Sequence, residues 1–157
     1  MPLLVNLRHL EVHNVSLCGE LPVMELDMET DDEMIRVVKP LRYGIEVQKL
    51  DGGLLVRGLL QLVLECHCVR CLKPFSHELE VKNWTCHLPF EGEDRVTVVN
   101  DCVDLTPFAR EDMLLEFPQH PLCKPDCGGI KTKTGEARKT AGEFAPSAWA
   151  ELDKLKL

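Results

Sequence analysis

Four cysteines in two short pairs are the residues of this chain best suited to chemistry. The pairs are Cys68-x-x-Cys71 and Cys123-x-x-x-Cys127, with residues 72–122 between them. Each pair is short enough for both thiolates to reach one ion, and four thiolates suit a soft, tetrahedral, redox-silent metal. The spacing therefore predicts one structural zinc ion, which would join distant parts of the chain and add folding free energy.

The ligand set is not fixed by this spacing alone. Four nearby side chains are of types that also bind zinc: Cys66, His67, His120 and Asp126. Two interpretations without zinc stay open, namely buried or free thiols and a thiol–disulfide enzyme that uses Cys68 and Cys71 with a depressed cysteine pKa. Redox pairs of this kind normally open a helix after a strand, whereas this pair is predicted to join two strands.

The remaining cysteines and most histidines are not expected to carry chemistry. Cys18, Cys86 and Cys102 are isolated and are interpreted as small buried apolar residues. Four histidines without a carboxylate or metal partner in sequence are interpreted as surface or satisfied core residues on strands: His9, His13, His77 and His87. No phosphate-binding glycine loop, H-E-x-x-H or G-x-S-x-G motif occurs. We therefore expect a non-enzymatic protein without a small-molecule substrate.

Length and charge bound the classes of partner. The 157 residues are enough for one domain with a real core, predicted to span 1–157. The net charge is −8, but residues 124–157 carry seven Lys/Arg against five Asp/Glu, a net of +2, which leaves −10 for residues 1–123. An acidic protein does not coat nucleic acid with bulk positive charge, so any RNA contact is expected in the C-terminal third. The alternative is that both charge runs are solvated surface.

The chain shows no recognisable secretory signal or membrane span. Its first eight residues lack a basic region and a cleavage site. The apolar stretch 54–64 is broken by Arg57, Gly58 and Gln61 and is too short to cross a bilayer. We expect a cytoplasmic protein with no membrane partner. In that reducing compartment, eight cysteines indicate metal or buried thiols rather than disulfides.

An antiparallel sheet is predicted to position the first cysteine pair. Residues 35–48 read as an extended segment interrupted by Pro40, and the turn Asp51-Gly52-Gly53 separates it from an alternating strand over 54–66. After the cysteine reversal, residues 75–87 return as a third strand. That strand is predicted to keep strict alternation, with Leu79 on one side and Trp84 on the other.

Weaker patterns flank this meander. Two N-terminal strands are predicted over 3–15 and 17–28, and a short one over 96–99. Asp104 is predicted to cap a helix that ends at Pro118. Residues 128–145 are predicted to be a mobile basic segment. A last short helix carries an apolar repeat that is expected to dock on this domain or on a partner: Trp149, Leu152 and Leu155.

These elements predict the α+β class. The body would be an antiparallel β-sheet, a meander with a barrel-like closure as an option, followed by one or two short C-terminal helices.

Three motifs also occur in a characteristic order. Residues 64–75 contain the first cysteine pair, residues 104–115 and 121–129 contain the predicted helix and the second pair, and Trp149-x-x-Leu152-x-x-Leu155 closes the chain. Together they cover roughly residues 54–157 and resemble the YceD family, the large ribosomal RNA subunit accumulation proteins. The chain departs from the family pattern at three places: an extra Cys66, Ile130-Lys131 where a further cysteine is usual, and Pro146-Ser147-Ala148-Trp149 in place of Asp-Pro-Arg-Trp.

The resemblance implies a bacterial ribosome biogenesis factor that supports accumulation of 23S ribosomal RNA, with no known reaction. Its partners would be ribosomal RNA or large-subunit assembly proteins. In this interpretation four basic residues contact rRNA phosphates: Lys131, Lys133, Arg138 and Lys139. The alternative is a zinc-stabilised protein-interaction adaptor that never touches RNA, which the negative charge of residues 1–123 favours.

Overall fold

A five-stranded antiparallel sheet forms the body of the protein, in a computed structural model that describes residues 2–28 and 32–131. Its strands are β2 (Val15–Leu21), β3 (Ile35–Val37), β4 (Leu41–Leu50), β5 (Gly53–His67) and β6 (Pro74–Pro89). The central strand, β5, pairs with β6 along one side and with β4 and then β3 along the other, and β2 extends the sheet beyond β4. The sheet curls into a half-barrel, which confirms the predicted α+β class.

The predicted meander is confirmed in strands β4, β5 and β6. The interruption at Pro40 separates β3 from β4, and the two strands follow one another along the same edge of β5. Proline cannot donate a ladder hydrogen bond, so it falls between the two strands rather than inside either. Alternation in β5 is as predicted, because Leu60, Leu62 and Leu64 are all buried.

Strand β6 does not alternate as predicted. Leu79 and Trp84 are both buried, although their spacing places them on opposite faces of an unbroken strand. Gly58 pairs with Trp84 and Leu60 pairs with Val81, so three steps along β6 oppose two steps along β5. This β-bulge inserts one residue into β6 and returns the following residues to the core face. The prediction for Trp84 was therefore wrong.

Gly58 lies where two strands approach too closely for any side chain. A Cβ atom there would collide with the Gly44 carbonyl oxygen and lie 2.6 Å from the Ile45 Cα, whereas one at Gly44 would meet only the Cys18 Sγ at 3.9 Å. We expect Gly58→Ala to lower the free energy of unfolding by about 3 kcal/mol through overpacking. The matched control Gly44→Ala should stay within about 0.5 kcal/mol of wild type. Urea titration of both variants checks this, and equal losses would contradict it.

One N-terminal strand and two strands from residues 98–104 form a second, smaller sheet. Strands β1 (Leu4–Asn6), β7 (Val98–Val99) and β8 (Cys102–Asp104) pair in the order β1-β8-β7. The strand predicted over 3–15 was mostly wrong, since a 3-10 turn at His9–Glu11 interrupts it. The strand predicted over 17–28 ends at Leu21, because Pro22 stops it and begins the one-turn helix α1 (Val23–Leu26).

The predicted helix exists as α2 (Thr106–Leu115). Its N-cap residue is Leu105 rather than Asp104, but the Asp104 carboxylate still accepts a hydrogen bond from the Thr106 N–H at 2.9 Å. The helix ends at Leu115, before the predicted stop at Pro118. Its inward face buries Thr106, Ala109 and Met113 against the core.

One side-chain hydrogen bond ties α2 to the main sheet. The Trp84 Nε1–H donates to the Asp112 Oδ2 at 2.6 Å, and the Trp84 ring is buried. In the part of the chain that the structure describes, no helix is long and apolar enough to cross a membrane. The predicted last helix and residues 132–145 of the predicted basic segment lie outside the described residues.

Candidate metal centre

The reversal between β5 and β6 carries the first cysteine pair. The Cys68 N–H donates to the Lys73 carbonyl oxygen at 2.9 Å, and the Leu72 N–H donates to the Cys68 carbonyl oxygen at 2.8 Å. Leu72 has a φ of 60°, in the left-handed region that bulky residues rarely adopt. This tight turn brings Cys68 and Cys71 to the same side of the loop.

The segment after α2 lies across this reversal and brings in the second pair. The Val69 N–H donates to the Pro121 carbonyl oxygen at 2.9 Å. The Arg70 Nη1 donates to the Cys127 carbonyl oxygen at 3.0 Å, so the first loop also holds the far end of the second. These two cross-loop bonds place Cys123 and Cys127 beside the first pair.

The four sulfur atoms lie in an arrangement that fits a tetrahedral metal ion. The Sγ atoms of Cys68 and Cys127 are 3.7 Å apart, those of Cys71 and Cys123 are 3.6 Å apart, and all four lie within 4.8 Å of one another. Four thiolates at about 2.3 Å from a central zinc would be separated by about 3.8 Å. A disulfide would need about 2.05 Å, so the sulfurs are positioned as ligands around a common point.

Electrostatics within the cluster also favour a bound cation. Backbone N–H groups, that of Cys123 first, lower the pKa of the Cys68 thiol to about 6. The pKa of Cys123 is raised to about 12, first by its hydrogen bond with the Cys71 thiol and then by burial and the other cysteines. The other thiols of the cluster therefore oppose the ionisation of Cys123. A divalent cation among them would remove this opposition, because it stabilises every thiolate.

The alternative ligands stand apart from this group. In residues 2–28 and 32–131, the cluster that could hold a metal ion consists of the two cysteine pairs alone, without Cys66, His67, His120 or Asp126. Cys66 is buried on the core face of β5. Burial raises the pKa of its thiol, and the nearby Asp32 carboxylate raises it further.

The other cysteines and the histidines are placed less uniformly than predicted. Cys18 is exposed, so its interpretation as a buried residue was wrong, and Cys86 and Cys102 are only half-buried. Burial first, and then the Asp112 carboxylate, raises the pKa of Cys86 to about 11, which makes it a poor nucleophile. Four histidines were predicted to lie on strands. His9 and His13 lie outside strands, whereas His77 and His87 lie on β6.

The predicted RNA-contact and docking residues are mostly outside the described part. Lys131 is the last described residue, and its side chain is exposed. The others lie outside the described residues: Lys133, Arg138, Lys139, Trp149, Leu152 and Leu155. Sequence reasoning also missed Arg70 and Leu72, which shape the cysteine loops. The only signal for them was their position within and next to the first pair.

Comparisons with known proteins identify relatives of this chain. A family model described as large ribosomal RNA subunit accumulation protein YceD matches residues 56–156. An uncharacterised protein of Mycobacterium tuberculosis (strain H37Rv) is 28% identical over 103 residues, which are 60% of this chain and 50% of the relative. An uncharacterised protein of Mycobacterium leprae is 27% identical over 104 residues, 61% of this chain and 48% of the relative. The chain thus spans about half the length of these curated relatives. No solved structure matches.

Proposed function

The chain belongs to the YceD family of large ribosomal RNA subunit accumulation proteins, and we propose that it is a non-enzymatic, cytoplasmic ribosome biogenesis factor supporting 23S rRNA accumulation. The observation that carries this proposal is the family match itself. The matched residues include both cysteine pairs, β6 and α2. The match therefore covers the part of the fold that builds the candidate metal centre, and does not rest on an isolated motif.

We further propose that Cys68, Cys71, Cys123 and Cys127 bind one zinc ion with a structural role. A site with four protein thiolates has no open coordination position for water or substrate, which distinguishes structural from catalytic zinc. The ion would join the β5–β6 reversal to the segment after α2. The close sulfur positions support this assignment.

The test of the proposed function is made in the bacterium that carries the gene. We expect deletion to lower the ratio of 23S to 16S rRNA, measured by electrophoresis of total RNA or by quantitative PCR. The wild-type gene and the Cys18→Ser control, which changes an exposed cysteine outside the cluster, should both restore the ratio. An unchanged ratio in the deletion strain would remove the proposal.

A protein-interaction adaptor is the second candidate, and the charge of residues 1–123 is the observation that favours it. A net of −10 over these residues repels phosphate. The adaptor would bind a large-subunit assembly protein and would remain bound to it after nuclease treatment. Loss of all co-purifying proteins on nuclease treatment would count against the adaptor.

The thiol–disulfide alternative has one observation in its favour, the lowered pKa of the Cys68 thiol, and one against it. Cys68 and Cys71 join two strands, and neither opens a helix, where the helix N-terminus would stabilise a reactive thiolate.

A further inference from the structure

The two cysteine loops carry a concentration of positive charge on an otherwise acidic protein. We define the cysteine lobe as residues 68–73 and 121–131. It contains one carboxylate, Asp126, and four cations, a net of +3 without the sulfurs: Arg70, Lys73, Lys124 and Lys131. A zinc ion with four thiolates would add a net formal charge of minus two beneath the loops, so the lobe stays positive. The whole chain carries −8, so the charge outside the lobe is strongly negative.

All four lobe cations are exposed and open to an anionic partner. None forms an ion pair with a carboxylate among the described residues, whereas five cations elsewhere do. Arg70 is fixed by its hydrogen bond to the Cys127 carbonyl oxygen, which uses one guanidinium nitrogen, Nη1, and leaves the other two to donate to a partner. The lobe therefore presents unneutralised donors from two loops on one small surface.

Exposed aliphatic side chains alternate with these cations. Val69 is 40% exposed, Leu72 is 57% exposed and Ile130 is 61% exposed, and each directly precedes a cation of the lobe. Leu72 also occupies its left-handed conformation at a cost that glycine would avoid. The turn that joins Cys68 to Cys71 thus leaves the Leu72 side chain on the surface of the lobe.

From these observations we propose that the cysteine lobe is a binding surface for single-stranded RNA. The four cations contact phosphates, and the aliphatic side chains cover base faces. Such faces are accessible only where the bases are unpaired. The negative charge of the rest of the protein repels the RNA phosphates from the main sheet, so the RNA binds at the lobe. The identity of that RNA as large-subunit rRNA rests on the proposed function, whereas the binding surface does not.

Binding of this kind has a measurable dependence on salt. Each phosphate contact to a single strand contributes a slope of about −0.7 to the plot of log K against log salt concentration, so four contacts give about −2.8. Affinity should then fall roughly 50-fold between 50 mM and 200 mM salt. Because the two loops are joined through the cysteine cluster, both halves of the surface depend on its integrity.

The test measures fluorescence anisotropy of a labelled 12-nucleotide single-stranded RNA of mixed sequence with the full chain, purified under reducing conditions without chelator. The test variant is Arg70→Gln/Lys73→Gln/Lys124→Gln/Lys131→Gln. We expect it to lose most of the salt slope and to bind at least tenfold more weakly at 50 mM salt. The matched control removes four exposed cations outside the lobe, none of them ion-paired within residues 2–28 and 32–131: Arg36→Gln/Lys39→Gln/Arg57→Gln/Arg95→Gln. The control should bind within about twofold of wild type, and a duplex of equal length should bind wild type more weakly than the single strand.

Equal losses in the two variants, or no binding by the wild type, would overturn the inference. Thermal melting and zinc content of the test variant, both expected at wild-type values, show that lost binding is not lost folding. Failure of the proposed function is a separate outcome: an unchanged 23S to 16S ratio on deletion while the lobe still binds RNA. If the test variant binds RNA like wild type and also restores a normal 23S to 16S ratio in the deletion strain, the lobe assignment is wrong while the proposed function stands.

Discussion

Cys71→Ser is expected to release the metal ion and to lower the melting temperature of the protein by at least about 10 °C. Structural zinc is worth about 10 kcal/mol or more in small zinc domains, whereas a single large-to-small core substitution costs about 2–5 kcal/mol. Serine preserves the size of the side chain but supplies no thiolate. The reversal between β5 and β6 would then no longer be joined to the segment after α2 through shared metal coordination.

Cys18→Ser is the matched control for this prediction. Cys18 is an exposed cysteine on β2, outside the cluster, and its replacement should leave both zinc content and melting temperature unchanged. A strong chelator should destabilise wild type and Cys18→Ser alike, and should have little further effect on Cys71→Ser. Calorimetric scans with and without chelator provide the measurement. The prediction is wrong if Cys71→Ser melts together with the control.

Trp84→Ala is expected to lower the free energy of unfolding by about 4 kcal/mol. The Trp84 ring is only 3% exposed, and it fills the core just after the β6 bulge. Its removal would leave a cavity under α2 and would also remove the hydrogen-bond donor to Asp112. Both losses act on the same place, where the helix meets the sheet.

A double-mutant cycle separates the hydrogen bond from the packing. Asp112→Ala removes only the acceptor, and a hydrogen bond to a charged group is worth about 1.5–3 kcal/mol. Because Trp84→Ala already lacks the donor, adding Asp112→Ala to it should cost about 1.5 kcal/mol less than Asp112→Ala costs in wild type. Chemical denaturation of the four proteins gives the coupling free energy. Strict additivity would show that the contact contributes nothing beyond burial.

The central strands could be predicted because their patterns are long and local. β5 alternates regularly over residues 60–66, and the turn at Gly52 and the proline at position 40 mark the two ends of its neighbour β4. The bulge could not be predicted, because it depends on the register between two strands rather than on the composition of either. The same bulge decides which face of β6 carries Trp84.

The second, smaller sheet was harder to predict for a related reason. Short strands such as β1 and β8 carry only three residues each, too few to establish alternation. Their pairing joins positions nearly one hundred residues apart, with Val5 opposite Val103. Such contacts come from tertiary packing, so no local sequence pattern predicts them.

The candidate site also combines features that the sequence predicts with features that it does not. The spacing within each cysteine pair is local information, and it predicted which four sulfurs would meet. Cys66 was kept as an alternative ligand because it is close in sequence, but its side chain faces the core with Leu64. The bond from Arg70 to Cys127 joins loops that are distant in sequence, and the left-handed conformation of Leu72 is a property of the folded turn. Neither could be inferred from residue types.

Metal content of the purified protein tests the proposed zinc centre most directly. Protein prepared under reducing conditions without chelator would be analysed by native mass spectrometry together with elemental analysis. We expect about one zinc ion per chain, and none in Cys71→Ser. Metal-free wild-type protein that is folded and fully reduced would contradict the structural zinc assignment, and with it the account of how the two cysteine loops are held together.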